Sequence, residues 1–275
     1  MPAISDLWFP FLRSSSGWSN SNLMNEPVLL EVCADSVASA MAAERGGAHR
    51  VELCSGLIEG GVTPSFGLIA AVRNRVAINL HVMIRPRAGD FCYDPDEFQV
   101  MQQDVLIAKQ LGANGVVLGI LHEDGRVDSA RTRTLIESAR PMVVTFHRAF
   151  DMSNDLSRAL EDVIATGAER VLTSGGEQSA ETGIPGIAAL VKQSAGRITV
   201  MAGAGISVTN VSDILARTGV REIHATARIP AASRMQYRNQ RVSMGAVDSN
   251  EYTRLVTTEK KVSDLMAAIV DRNMD

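Results

Sequence analysis

Cysteine is scarce in this chain of 275 residues: there are three, Cys33, Cys54 and Cys92. A set so small, and odd in number, excludes a disulfide framework and fits free thiols in a reducing, cytoplasmic setting. Aromatic side chains make up only 4% of the chain, and both tryptophans, Trp8 and Trp18, fall within the first 26 residues. A basic excess is also lacking. The 27 Lys and Arg stand against 31 Asp and Glu, a net charge of -4, which is not the electrostatic footprint of a nucleic-acid binder. No run of about 18 apolar residues occurs, so no membrane span is expected. HExxH, CxxC, Walker and GxSxG patterns are absent, which leaves the common zinc, P-loop and nucleophile-elbow chemistries without support.

What remains has ordinary globular proportions, 45% hydrophobic and 21% charged. The length admits two small domains or one large α/β barrel. Residues 1–26 stand apart. Their apolar cluster, Leu7 to Leu12, is preceded by Asp6 and broken by Pro10, whereas a secretory signal needs a basic start and an unbroken apolar run. Arg13 is the segment's one arginine, too few for a transit peptide. The segment reads as a disordered extension outside the domain. Patterned sequence begins directly after Met24, which makes Met24 an alternative start, and the domain is expected over residues 27–275.

From residue 28 short apolar or β-branched runs alternate with longer stretches of helical period, the signature of βα units and a parallel sheet. Strands are expected at Val28–Cys33, Arg50–Cys54, Asn79–Ile84, Gly115–Gly119, Met142–His147, Arg170–Thr173, Ile198–Met201 and Glu222–Ala225. Helices are expected between them. One runs from Ser36 to Arg45, and another over Pro95–Leu111 opens on Asp94-Pro95, a capping residue followed by proline at the first helical position. Others cover Leu156–Thr166 and Thr209–Thr218, and a last one covers Lys260–Asp271. The phrase of helix, then Gly-Ala, then strand recurs at Gly47-Ala48, Gly112-Ala113 and Gly167-Ala168, as glycine ending a helix before a short loop. Eight such units predict a single parallel (β/α)8 TIM-type barrel, a fold of roughly 250 residues. A doubly wound open sheet is the alternative, but its first βα turn would carry a glycine-rich fingerprint, and here that turn reads Cys33-Ala34-Asp35-Ser36. The stretch from Thr226 to about Thr258 reads as a polar, arginine-containing tail.

In such barrels active groups come from the C-terminal ends of the strands, and these ends are unusually polar. Strands one and two carry matching phrases, Glu31-Val32-Cys33 and Glu52-Leu53-Cys54. Period-2 alternation places each Glu with its Cys on one face. Facing inward, the two thiols would stand at equal heights on strands ~4.8 Å apart, able to flank one soft ion such as Cu(I) or Zn(II). Cysteine also packs as a small buried hydrophobe, so that reading stays beside the first. Strand three ends in Arg85-Pro86-Arg87, an anion fork or a pair of surface salt bridges. Strand five ends in His147-Arg148-Ala149-Phe150-Asp151, with His147 a candidate base, ligand or donor. The loop Gly203-Ala204-Gly205-Ile206-Ser207 precedes a helix and, with His224 and Thr226 after strand eight, suits an anion. The candidate anion site is therefore Arg85, Arg87, Gly203, Ala204, Gly205 and Thr226. The candidate metal ligands are Cys33 and Cys54. For an enzyme acting on a small anionic or phosphorylated substrate, the candidate catalytic set is His147, Glu52, Glu31 and Arg85.

The phrases LLEVCADS, RVELCSGLIEGGVTPS, MIRPRAGDFCY, VTFHRAFDM, RVLTSGG, MAGAGI and MQYRNQRVSMG follow one another from about Val28 onward. This series resembles the CutC family. The resemblance implies the barrel fold, a role in intracellular copper homeostasis, Cu(I) as the metal at Cys33 and Cys54, and a homo-oligomer. It does not cover residues 1–26. Partners are thus expected to be a metal ion or small anionic ligand, with neither nucleic acid nor membrane.

Overall fold

Eight strands hydrogen-bond in sequence order, all parallel, and close into a barrel from β1 to β8. The structure, a computed structural model, describes residues 27–242, 244 and 251–271. The N-terminal extension falls outside the described residues. The strands are β1 Leu29–Ala34, β2 Arg50–Leu53, β3 Asn79–Met83, β4 Gly115–Leu118, β5 Val143–Phe146, β6 Arg170–Thr173, β7 Thr199–Ala202 and β8 Glu222–Ala225. The helices between them are α1 Val37–Arg45, α2 Phe66–Arg73, α3 Pro95–Gln110, α4 Ser129–Ala139, α5 Leu156–Thr166, α6 Ile184–Ser194 and α7 Val211–Thr218. The expected TIM-type barrel is the fold, and each expected strand lies within a residue or two of the observed one.

The local reasons are the sequence signals themselves. Asp94 and Glu97 form a reciprocal capping box at the start of α3 (Glu97 N–H to Asp94 2.8 Å, Asp94 N–H to Glu97 3.0 Å), with Pro95 directly after the cap. Ser36 caps α1 and Asp155 caps α5 through their side-chain oxygens. Helix α5 stops at Gly167, whose φ of 87° is left-handed and disfavoured for residues with a Cβ.

The region after β8, expected as a polar, arginine-containing tail, holds two strands. Arg228–Ala232 (β9) and Thr253–Thr257 (β10) pair antiparallel, before α8 at Glu259–Asp271. Pro230 sits in β9 and breaks the alternation that would betray a strand. The hairpin is tied to the barrel by Thr257, whose N–H donates to Ser39 Oγ of α1 at 3.3 Å and whose hydroxyl donates to the Thr226 carbonyl at 2.9 Å.

Outward-facing strand residues such as Leu30, Val32, Val51, Leu53, Leu80 and Val82 are fully buried under the helices. The barrel interior is different. Barrel interiors are usually filled by Val, Ile and Leu, but here Glu31, Arg50, Glu52, His81, Thr145, Arg170 and Glu222 are buried. Arg50 pairs with Glu31 and, at 2.5 Å, with Glu222; Arg170 pairs with Glu222 at 2.6 Å and donates to Thr145 at 3.1 Å. Two guanidiniums thus neutralise two carboxylates in a lattice spanning β1, β2, β5, β6 and β8. This lattice is the floor on which the site stands.

Candidate functional site at the barrel mouth

Above the lattice opens a cavity of about 450 Å³. Its lower wall carries Cys33, Glu52, Met83 and His224; its upper wall carries Arg85, Phe91, His147, Arg148, Ala204, Gly205, Thr226 and Arg228.

The register pairs Cys33 with Glu52 across β1 and β2, and Cys54 follows at the end of β2. The two sulfurs lie 3.1 Å apart, both buried, both free thiols. Cys54 also lies 3.8 Å from the Ala34 carbonyl, and Met83, Val117 and Leu57 pack round the pair. The hydrogen bond with Cys54, then burial, then the charge of Glu52 push the Cys33 thiol well above its ordinary range. A ligand atom each from Cys33, Glu52 and Cys54 fall within 4.8 Å of one another, as do atoms of Glu31, Glu52 and His224.

Glu31 and Glu52 occupy opposite situations although they stand on neighbouring strands. Glu31 is saturated: one oxygen takes Arg50, the other lies 2.7 Å from His224 Nδ1. Burial alone would raise its pKa, but Arg50 and His224 hold it well below the carboxylate range. Glu52 has no guanidinium partner. Its Oε2 is 3.8 Å from His224 Nε2, its Oε1 is buried without a hydrogen bond, and burial raises its pKa. His224, between the two, is pushed up: burial opposes, but Glu52 and Glu31 outweigh it.

His147 caps the 3-10 turn Arg148–Met152, its Nδ1 accepting from the Ala149 N–H at 3.2 Å. That bond leaves the proton of the neutral ring on Nε2, which is buried and unpartnered. Burial, then Arg85, lowers its pKa to about 3. At neutral pH His147 is therefore a hydrogen-bond donor through Nε2, which narrows the options open in the sequence.

Arg85 is 5% exposed and stacks 5.0 Å over the Phe91 ring. Its terminal nitrogens donate to the carbonyls of Glu59, Gly61 and Gly89, each at 2.8 Å, while Nε has no partner. Arg87 points elsewhere. It pairs with Glu97 at 2.5 Å and Asp90 at 3.0 Å, stacks over Tyr93, and does not line the cavity. Of the glycine loop, Gly203 packs against Leu172 and His224 beneath the cavity wall, and Ala204 and Gly205, both at positive φ, line it with Ile206. Thr226 lines it from just past the end of β8. Asp151 is consumed by Arg148, Thr173 and the amides of Ser174 and Gly176.

The sequence reading ended its anion loop after strand eight at Arg228 but did not reach Met83 or Phe91 at the cavity, nor Arg50, Arg170 and Glu222 below it. Arg50, Arg170 and Glu222 each open a strand with a charge pointing inward, a repeated signal at strand starts that a reading of strand ends passes over.

A profile described as the CutC family matches residues 28–229. The chain belongs to the CutC family. A family protein CutC of Chromobacterium violaceum is 51% identical over 241 residues, 88% of this chain and 98% of the relative. A human protein named copper homeostasis protein cutC homolog is 50% identical over 240 residues, 87% of this chain and 88% of its own. The crystal structure of CutC from Streptococcus agalactiae superposes with a TM-score of 0.69 at 33% identity, covering 72% of this chain and 98% of that one. Thiamine phosphate pyrophosphorylase from Pyrococcus furiosus matches at 19% identity and TM-score 0.54, a likeness of fold alone. Among the described residues no helix is long and apolar enough to cross a membrane.

Proposed function

We propose that this CutC-family protein serves copper homeostasis by binding Cu(I), as cargo, between Cys33 and Cys54. One observation carries the reading: two free, buried thiols 3.1 Å apart, of which Cys33 lines the cavity. Thiolate is the ligand type that selects Cu(I), and two suffice at low coordination number. The donors fit a soft ion, since the neighbouring Met83 sulfur and the apolar Val117 and Leu57 exclude competing hard ligands on that side. Cys33, its thiol pushed up by Cys54, burial and Glu52, holds its proton in the metal-free protein, so uptake releases it and affinity falls as pH falls. The reducing, cytoplasmic setting and the homo-oligomer implied by the family belong to the same proposal. The test is competitive titration of Cu(I) against a chromogenic chelator under reducing conditions. Cys33→Ser and Cys54→Ser each abolish tight binding and Cys92→Ser does not. Equally weak binding by wild type and the double variant removes the copper reading.

A second reading is favoured by the unpartnered Glu52 Oε1, His147 Nε2 and Arg85 Nε around the same cavity. In that reading the barrel is an enzyme acting on a small anionic or phosphorylated substrate, held by Arg85, Thr226 and the loop from Gly203 through Gly205. Its decisive substitutions are His147→Ala, Glu52→Gln and Arg85→Ala, measured as loss of the melting-temperature rise that millimolar phosphate gives wild type.

A further inference from the structure

A cavity of about 450 Å³ is far larger than a bare ion requires and lies in the range of small-molecule sites. We infer that this cavity docks the carrier that brings Cu(I), a small thiol bearing carboxylates, with Arg228 holding the carrier's negative charge. The inference rests on the copper reading above and names the form in which the metal arrives.

Unspent positive charge is the first argument. Arg228 lines the cavity from β9, and no hydrogen bond or ion pair engages its guanidinium among the described residues; its Nε is buried without a partner. Arg85, 5% exposed, likewise leaves Nε unpartnered. A guanidinium matches a carboxylate with two parallel donors, and among the described residues no carboxylate supplies one here. Asp151 is committed to Arg148 and the β6 loop, Glu59 is exposed and offers Arg85 only its carbonyl, and Glu52 lies at the floor beside His224. The amides of Ala204, Gly205 and Ile206 donate no hydrogen bond among the described residues and add further donors at the same wall.

The depth profile is the second argument. Arg85, the Ala204–Gly205 loop and Arg228 follow the C-terminal ends of β3, β7 and β8, whereas Cys33 lies within β1 and packs with Cys54 and Met83. A ligand anionic at one end and sulfur-bound to copper at the other fits that order; a bare phosphate uses only the first group. The transfer is a ligand exchange. The two carrier sulfur–copper bonds break as bonds from copper to Cys33 and Cys54 form. The two cysteine protons leave on the departing carrier thiolates, copper stays monovalent, and no oxidant or reductant takes part.

Two measurements test this. Metal-free protein is titrated calorimetrically with S-methylglutathione, which keeps the carboxylates and cannot hold copper through a thiolate. Saturable binding is expected at millimolar concentration or below, weakened about tenfold by Arg228→Gln, the loss of one charge-assisted pair, and to an intermediate degree by Arg228→Lys. Stopped-flow transfer of Cu(I) is then compared from its glutathione complex and from its acetonitrile complex, whose ligand is neutral. Arg228→Gln is expected to lower the ratio of the two rates about tenfold. Absent S-methylglutathione binding, or an unchanged ratio, overturns the inference while copper binding stands. Tight binding of inorganic phosphate with none of S-methylglutathione overturns it in favour of a phosphorylated ligand. Wild type that retains Cu(I) from neither donor removes the copper reading and this inference together.

Discussion

Glu31 Oε1 stands 2.7 Å from His224 Nδ1, joining the first and last strands of the barrel inside its wall. The other oxygen of Glu31 meets Arg50, so this carboxylate couples the lattice below to the site above. Removing one partner from a buried pair leaves an uncompensated charge, at a cost of about 3–5 kcal/mol. Glu31→Gln is therefore expected to destabilise the protein by roughly 3 kcal/mol in urea unfolding. A change below about 1 kcal/mol would place the stability of the barrel floor elsewhere.

The buried histidines give acid stability a definite sign. His81 and His147 are each lowered to about 3, by burial first and then by nearby arginines, with Glu31 opposing at His81. In the unfolded chain histidine titrates near 6.5. Below about pH 6.5 the unfolded state takes up protons that the native state refuses, so stability falls as pH drops toward 3. Each histidine contributes a slope of about 1.4 kcal/mol per pH unit. His224 has the opposite sign: its raised value adds stability that is full below about pH 6.5 and lost as pH rises through the folded value. Glu31, depressed, gives stability present above about pH 4.3 and lost below it. Unfolding free energies near pH 5 should show a slope approaching two protons, which fades toward pH 7 as the unfolded histidines lose their protons and His224 opposes. His147→Asn, which can still accept from Ala149, should reduce it to about one. An unchanged slope would mean that His147 is protonated in the native state.

Two glycines, one opening β4 and one directly after it, are sized to these rings. A Cβ on Gly115 would lie 2.5 Å from His81 Nε2, and one on Gly119 would lie 2.6 Å from His147 Nδ1. Neither glycine has positive φ, so the requirement is room for imidazole on the adjacent strands. Gly115→Ala and Gly119→Ala should each lose about 1–3 kcal/mol through overpacking. Gly67→Ala, in α2 with nothing within 4 Å, should instead gain about 0.5–1 kcal/mol from helix propensity. Losses of equal size at all three positions would refute the packing argument.

The eight strands and several helix caps were legible because they are local. Asp94-Pro95 announces α3 without knowledge of any neighbour, and the alternation Glu31-Val32-Cys33 states its own two faces. The thiol pair could be read because both cysteines end neighbouring strands on the inward face, but the register sets Cys33 opposite Glu52, not Cys54, so the equal heights expected from the matching phrases do not hold. Arg85 and Arg87, two residues apart, could not be told apart in sequence: one turns into the cavity and the other is captured by Glu97, ten residues away. The strand that carries Arg228 was hidden for a similar reason. It belongs to a hairpin whose second strand begins beyond residue 250 and whose first contains Pro230, so nothing near it in sequence signals a strand. The Arg50, Glu222 and Arg170 lattice joins residues separated by 52 and 172 positions, and only closure of the barrel brings them together.

Arg85 also guards the thiols. Its bonds to the carbonyls of Glu59 and Gly61 pin the loop after β2 to its own loop after β3, which the third bond, to Gly89, holds in place. The loop after β2 covers Cys54, since a Cβ built on Gly61 would lie 3.3 Å from Cys54 Cβ and 3.4 Å from its sulfur. Hydrogen bonds from a charged donor contribute about 1.5–3 kcal/mol each. Losing the equivalent of one raises the population of the open loop about tenfold. Thiol modification of metal-free protein should therefore show one fast cysteine, Cys92, which is only partly buried, and two slow ones, Cys33 and Cys54. In Arg85→Ala the slow pair should react at least about tenfold faster, while Cys92 changes little. Mass mapping of the labelled peptides assigns each rate. If Cys33 and Cys54 keep their wild-type rates in Arg85→Ala, the loop is held by something other than this guanidinium, and access to the thiols is controlled elsewhere on the cavity wall.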